Sequence, residues 1–336
     1  MGTAVSLLVV NYRSAPLALE AIRSARAGTR NALQVVVVDN SDEAEALRPA
    51  ADVFIDSGGN AGYAAAINRG RRACDGEVIV AANADVIFAA GAIDALAEAN
   101  AAVAGPALFW DDAHEWLLPP AELHTARDVL GRALATRSRA FARVRDRRRI
   151  RERIAFWSLT ETTPVSAISG AVMAIRARAF DDAGGFDERF PLYFEENDFL
   201  RRVRGEIVYV PAARVRHLYN QSAGVSSEAA ALYARSEAEY LRKWGGAFWK
   251  RLECAGHAGA LTAATWSPHS TENLLVEASP EQDFETAAGH FPKTWPIAVP
   301  AEVLAAYRGP ALYLRVVDRS TAEVLETRSM APSRSM

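Results

Sequence analysis

Several short stretches of this 336-residue sequence combine side chains that suit chemistry better than packing. Asn83-Ala84-Asp85 places an amide and a carboxylate two residues apart. One carboxylate suffices for a divalent cation when a diphosphate and waters complete its octahedron, and the neutral Asn83 predicts a weaker metal site without the nucleotide. The densest cluster is Gly184-Gly185-Phe186-Asp187-Glu188-Arg189-Phe190-Pro191-Leu192-Tyr193-Phe194-Glu195-Glu196-Asn197-Asp198. Its aromatic residues want burial, so the acids among them are expected to have raised pKa values, which suits a general base. Glu195 and Glu196 cannot share one helix face, so at most one should point at a reacting centre. Asp39 follows four consecutive valines and leaves a buried strand with a carboxylate able to accept a hydrogen bond from a ring N–H; capping the next segment is the alternative. The glycines of Gly58-Gly59-Asn60-Ala61-Gly62-Tyr63 would let backbone N–H groups approach a nucleotide ahead of a helical run containing Asn68.

These residues need a scaffold, and the first hundred residues describe one. Apolar β-rich runs at Val5 to Asn11, Leu33 to Asp39 and Val78 to Ala82 alternate with helical patterns at Pro16 to Arg26 and Ala61 to Cys74. That order is the signature of βαβ units around a buried parallel sheet, whose ligands lie beyond the carboxyl ends of the strands. Asp39-Asn40-Ser41 and Asn83-Ala84-Asp85 both fall at such ends. A strand is expected to resume at Val165 to Gly170, a last core strand to follow Pro211 and lead to His217, and a closing helix to run from Glu228 to Lys243. A lone histidine such as His217 is more often structural than a ligand.

Half of the residues are hydrophobic and about a quarter are charged, enough for one large α/β domain and an appendage. The expected division is residues 1–253, with a basic helical insertion at about 125–155, and a small β-rich unit at 254–336. A formal net charge of -3 gives no general attraction to nucleic acid. Two cysteines, Cys74 and Cys254, make neither a disulfide framework nor a zinc site, so a cytoplasmic location is expected. No run approaches the length of an apolar transmembrane helix. Trp266 and Trp295 are candidates for holding a glycan, with packing in a small core the stronger expectation.

Taken together, the stretches resemble the inverting glycosyltransferases of family two, which have the GT-A fold, and especially bacterial rhamnosyltransferases of cell-surface polysaccharides. The resemblance spans roughly Val5 to Tyr240. It includes Val10-Asn11-Tyr12-Arg13-Ser14, Val38-Asp39-Asn40-Ser41, Asn60-Ala61-Gly62-Tyr63 with Asn68 and Gly70, and the Gly-Gly-Phe-Asp cluster. It implies an α/β Rossmann-like, mostly parallel sheet with flanking helices and a nucleotide site drawn from Asn11, Tyr12, Asp39, Asn60, Gly62, Asn68 and Asn83. It also implies Mg2+ or Mn2+ held by Asp85, with His217 completing the metal or diphosphate site. The family's acidic motif is commonly Glu-Asp-X-Asp; here Glu196 stands where the catalytic Asp usually does, with Glu195 and Asp198 as alternatives. The implied partners are a nucleoside-diphosphate sugar donor, dTDP- or UDP-linked, and a glycan or lipid-linked acceptor.

Nine arginines from Arg137 to Arg153 are interleaved with Leu134, Phe141, Val144, Ile150 and Ile154, a pattern compatible with a basic amphipathic helix. It suits an anionic membrane surface, which would make the protein peripheral at the inner face of the cytoplasmic membrane; a solvated excursion is the alternative, and homodimerisation is open. With Phe141 alone among them, the arginines lack the repeated stacking aromatics of a nucleic-acid site, which disfavours nucleic acid. A dinucleotide-binding dehydrogenase is excluded because Asn11 to Pro16 has no Gly-X-Gly-X-X-Gly turn, and a nucleotidyltransferase because that place lacks a glycine-rich basic loop. A catalytically decayed glycan-binding or scaffold protein is the remaining rival.

Overall fold

A computed structural model describes residues 4–218, 227–245, 272–294, 296–307, 309 and 311–330. Cys254, Trp266 and Trp295 lie outside the described residues. The chain opens with β1 (Val5–Asn11), α1 (Ala15–Gly28), β2 (Leu33–Asp39), α2 (Ala44–Leu47), β3 (Val53–Asp56), α3 (Tyr63–Arg71), β4 (Val78–Asn83) and β5 (Val86–Phe88). It continues with α4 (Ala92–Glu98), β6 (Val103–Phe109), α5 (Ala126–Arg137), α6 (Arg139–Trp157), β7 (Thr163–Pro164), β8 (Val172–Arg176), α7 (Ala177–Asp182), α8 (Glu195–Arg202), β9 (Ile207–His217) and α9 (Ser227–Gly245). The last elements are β10 (Leu274–Ser279), β11 (Ala288–His290), α10 (Ala301–Ala306), β12 (Leu312–Asp318) and β13 (Glu323–Met330).

A nine-stranded mixed sheet has the order β3-β2-β1-β4-β8-β6-β9-β5, with β7 beside β9. β3, β2, β1 and β4 are parallel, β8 runs against both β4 and β6, and β9 is parallel to β6. The valine runs alternate faces with the period of two that a strand imposes. Val35 and Val37 join Leu7, Val9, Val80 and the buried side of α1 and α4. Val36 and Val38 join Leu8, Ile79, the buried side of α3, Phe180 of α7 and Phe199 of α8. Register then aligns the strand ends: Asn11 lies opposite Asp39, and Val10 opposite Asn83. This brings three polar side chains from distant sequence to one edge of the sheet.

No strand forms at 165–170; β8 starts at Val172. The segment bends instead, with the Ala171 N–H donating to the Ser169 hydroxyl and the Asn83 N–H donating to the Ala171 carbonyl. This local turn competes with a ladder. The basic stretch is two helices, because Ser138 ends α5 and caps α6 through the Phe141 N–H.

The C-terminal unit is an antiparallel sheet of order β11-β10-β12-β13. It is fastened to the first domain rather than hung beside it. Ile150 and Trp157 of α6 pack with Leu275, Val317 and Ala322, while Trp110, Trp116 and Leu118 pack with Val276, Ala278 and Leu312. Leu117 and Gly289 exchange backbone hydrogen bonds of 2.8 Å. Between these apolar patches, Glu277 of β10 takes Arg153 at 2.8 Å and Arg315 at 2.5 Å, and Arg315 also reaches Asp146 at 3.0 Å. Burial pushes the Arg153 guanidinium down to about 10. Glu277→Ala would leave two arginines buried beside a missing carboxylate, so it is expected to cost about 3–5 kcal/mol, measured by chemical unfolding.

Candidate active site

The carboxyl ends of β1 and β2 form the first wall. Asn11 and Asp39 are both buried. The Asn11 amide donates to Asp39 Oδ1 (2.9 Å), to the Ser41 hydroxyl (3.2 Å) and to Glu43 Oε2 (3.0 Å). Asp39 also accepts from the Ser41 N–H and hydroxyl and from the Glu43 N–H. Burial pushes the Asp39 carboxyl up, but the bonds from Ser41, Asn11 and the Glu43 N–H outweigh it and hold the group below its ordinary value. Both side chains therefore organise the 40–43 loop. Tyr12, the next residue, is 47% exposed with the Arg13 guanidinium 5.2 Å from its ring centre, an aromatic face presented at the same edge.

The glycine-bearing loop forms a second wall. Asn60 accepts the Gly62 N–H at 3.0 Å, and Asn40 donates to the Gly62 carbonyl at 3.2 Å. Gly62 has φ +86°, and a Cβ there would meet the Pro191 carbonyl oxygen at 2.9 Å, so both conformation and closeness require glycine. The Tyr63 N–H donates to the same Pro191 carbonyl. Asn68 serves the scaffold instead. Its amide donates to the Phe186 carbonyl and Glu188, and its oxygen accepts the Phe186 N–H. These bonds clamp the Gly-Gly-Phe-Asp loop onto α3.

Asn83 ends β4, and two residues later Asp85 meets His217. Their side chains stand 3.3 Å apart, Oδ1 to Nε2, because β5 pairs antiparallel with β9 and Val86 lies opposite His217. Burial pushes the Asp85 carboxyl up, yet the charge and hydrogen bond of His217 outweigh it and leave a net lowering. Among the described residues, no group of three or more His, Cys, Asp or Glu side chains could hold a metal ion. The pair nevertheless fits a divalent cation as a partial donor set. One carboxylate and one imidazole leave most positions to a diphosphate and water, and the imidazole suits Mn2+ better than Mg2+.

The acidic cluster separates into two kinds of carboxylate. Asp187 is held well below its ordinary value by Arg189, against burial, with help from Lys243. Asp198 is buried and accepts Arg202 (2.9 Å), Lys243 (2.5 Å) and the Trp244 indole N–H (2.8 Å). The expectation that the acids share raised pKa values fails for Asp187, which Arg189 and Lys243 hold, while Asp198 is occupied by Arg202 of α8 and by Lys243 and Trp244 of α9. Glu195 and Glu196 behave as expected: burial raises both, most strongly Glu195, which also feels the charge of Glu196. Glu195 Oε2 is buried without a hydrogen-bond partner among the described residues. Both follow Tyr193 and Phe194, two bulky residues at φ +70° and +66°, a strained turn that aims the first turn of α8.

Tyr63 and Gly170 connect the glycine-bearing loop to the acidic cluster. The Tyr63 hydroxyl is kept protonated by burial first, then by the charges of Glu195, Glu196 and Asp85, and it donates to the Gly170 carbonyl at 3.5 Å. Gly170 lies against Glu196: a Cβ there would stand 3.2 Å from Glu196 Cγ. Asn197 donates its amide to Glu196 Oε1 at 3.0 Å while its oxygen accepts the His124 N–H at 3.3 Å. The sequence reading missed Tyr63, Gly170 and Asn197 as members of the site. The only signal for Gly170 was a glycine inside an otherwise strand-like run. Gly170→Ala is expected to displace the Glu196 carboxylate and lower turnover about 10²-fold, with substrate KM little changed, in steady-state kinetics.

Residues 6–102 match the model of Glycosyl transferase family 2. An N-acetylglucosaminyl-diphospho-decaprenol L-rhamnosyltransferase of Mycobacterium tuberculosis is 27% identical over 269 residues, covering 72% of this chain and 84% of that protein. Among solved structures, GalNAc-T7 with UDP, GalNAc and Mn2+ has a TM-score of 0.51 at 14% identity, covering 76% of this chain. The match spans 52% of the GalNAc-T7 chain, about half its length, and shows a shared GT-A-like fold.

Proposed function

We infer that this chain, which carries a Glycosyl transferase family 2 domain, moves a sugar from a nucleoside-diphosphate donor to a hydroxyl of a lipid-linked glycan with inversion at the anomeric carbon. The observation that carries the reading is Glu196, raised by burial, bonded by Asn197 and set against Gly170, together with the Asp85–His217 pair 3.3 Å apart. The mycobacterial relative's name supports an L-rhamnosyl donor and an N-acetylglucosaminyl diphospholipid acceptor.

In this reading the base rests against the 40–43 loop that Asn11 and Asp39 organise, near the Tyr12 ring. The diphosphate meets Asn83 and the 58–62 loop. Asp85 and His217 would hold Mg2+ or Mn2+, which would supply positive charge against the leaving diphosphate. Glu196 takes the proton of the acceptor hydroxyl as its oxygen bonds to the anomeric carbon, and the carbon–oxygen bond to the diphosphate breaks with its electron pair going to the diphosphate. No described helix is long and apolar enough to cross a membrane, so a lipid-linked acceptor would be met at the bilayer surface.

The decisive experiment incubates the protein with dTDP- and UDP-sugars, Mg2+ or Mn2+, and a short-chain diphospholipid acceptor, then reads nucleoside diphosphate release and the anomeric configuration of the product by NMR. Retention of configuration would remove the single-displacement mechanism. No metal-dependent release with any donor would leave a glycan-binding or scaffold role. Asn197→Ala is expected to lower turnover about 10-fold and to move the acid limb of the pH profile upward, because its amide favours the ionised Glu196. A structural role alone would leave that limb in place.

A further inference from the structure

The basic segment divides once its partners are visible. Arg145 bonds Glu285 at 2.5 Å, Arg149 the Glu285 carbonyl, Arg151 the Thr321 carbonyl and Arg153 the Phe284 carbonyl, while Arg147 pairs with Glu323 at 3.5 Å. Arg148 pairs with Glu152 on its own helix. This half of the basic segment is a seam to the C-terminal sheet, which corrects the reading of all nine arginines as one surface. What remains is the tip of the α5–α6 hairpin. Between Asp128 and Asp146 the chain has five arginines and no acid. Arg137, Arg139 and Arg143 are exposed there, with no acid at ion-pair distance among the described residues.

The same tip exposes large apolar side chains. Leu130 and Leu134, one turn apart on α5, are each 41% exposed, and Phe141 and Val144 on α6 are 37% and 67% exposed. On α6 they point away from Ile150 and Trp157, which face the C-terminal sheet, and on α5 away from Val129, which packs with Phe190, Phe194 and Tyr240. The hairpin root is also the neighbour of the base, through the His124 N–H and Asn197. α5, twelve residues long, carries the tip about 18 Å from that root.

We propose that the α5–α6 hairpin tip docks on an anionic phospholipid bilayer, with Leu130, Leu134, Phe141 and Val144 entering the interface and Arg137, Arg139 and Arg143 meeting the headgroups. The inference rests on the lipid-linked acceptor reading and names the surface by which the protein would meet the bilayer that holds it. Exposed apolar groups flanked by unneutralised arginines match an anionic interface in both charge and hydrophobicity, whereas a second copy of this chain would set the arginines against themselves.

The test is co-sedimentation of the full chain with phosphatidylglycerol vesicles and with phosphatidylcholine vesicles at low and high salt, without donor or acceptor. Binding to phosphatidylglycerol that weakens with salt is expected, with little binding to phosphatidylcholine. Replacing Arg137, Arg139 and Arg143 together by Gln should weaken vesicle binding about 10²-fold. The double substitution Phe141→Ser and Val144→Ser should also weaken it, and both variants should keep wild-type transfer to a soluble acceptor lacking the lipid. No binding to phosphatidylglycerol, equal binding to both vesicles, or variants that bind like the wild type would overturn the proposal. So would light scattering that shows a dimer dissolved by these substitutions in a protein that ignores vesicles. Vesicle binding by a protein without transferase activity would sink the enzymatic reading and leave the docking surface standing.

Discussion

Glu196→Gln is expected to lower transfer by about 10²–10⁴-fold while donor binding persists, because the amide keeps the shape and removes the proton acceptor. The pH profile should carry the same signature. Burial raises the Glu196 carboxyl, and only its ionised form accepts a proton, so wild-type activity should rise with pH through a midpoint above the ordinary glutamate value and then level off. The residual activity of Glu196→Gln should lack that limb. Stability should move oppositely. A folded-state pKa raised above the unfolded one contributes stability fully present below the unfolded pKa and lost as pH rises through the folded pKa. At neutral pH the pair is therefore a cost, and a neutral Gln at Glu195 or Glu196 should raise Tm by about 2 °C. Glu195→Gln should also retain most activity, since the proton acceptor is Glu196; Glu195→Gln as damaging as Glu196→Gln would reverse the two roles. Calorimetry and transfer assays on both variants separate these outcomes.

Asp85→Ala should lower metal-dependent transfer by about 10²–10³-fold, and His217→Ala by less, since the carboxylate carries the charge that a divalent cation needs. The two side chains face each other at 3.3 Å with no third metal-binding side chain at hand among the described residues, so cation and nucleotide must support each other. In thermal shift experiments Mn2+ and a nucleoside diphosphate should together raise Tm by more than the sum of their separate effects. Asp85→Ala should retain the nucleotide's own shift and lose the excess. Chelation of the wild type should reproduce the variant. A wild type whose shifts simply add would mean that the pair does not hold the metal.

The scaffold was legible because buried parallel strands leave few arrangements open. Val35 to Val38 can be buried on both faces only inside a sheet, and the polar residues that close β1, β2 and β4 must then lie along one edge. The resemblance of Asn83-Ala84-Asp85, the Gly-Gly-Phe-Asp cluster and His217 to family-two motifs named the groups that meet there, although 132 positions separate Asp85 from His217 in the chain.

Local chemistry did not reveal which polar groups the fold itself would use. Asp198 and Glu196 sit two residues apart in one run of acids, and the difference between them comes from Lys243 and Trp244, which only the return of α9 brings close. Asn68 resembles a nucleotide ligand in sequence and holds the Phe186 backbone in space. The arginines of α6 read as one amphipathic face until Glu277 and Glu285 arrive from the C-terminal unit. The sequence by itself determined the βαβ scaffold, the strand ends and the set of candidate groups, since periodicity and residue type are local properties. Only the tertiary structure decided which carboxylates remain available and which cations are already neutralised, because a charge's behaviour depends on its desolvation and on partners a hundred or more residues away.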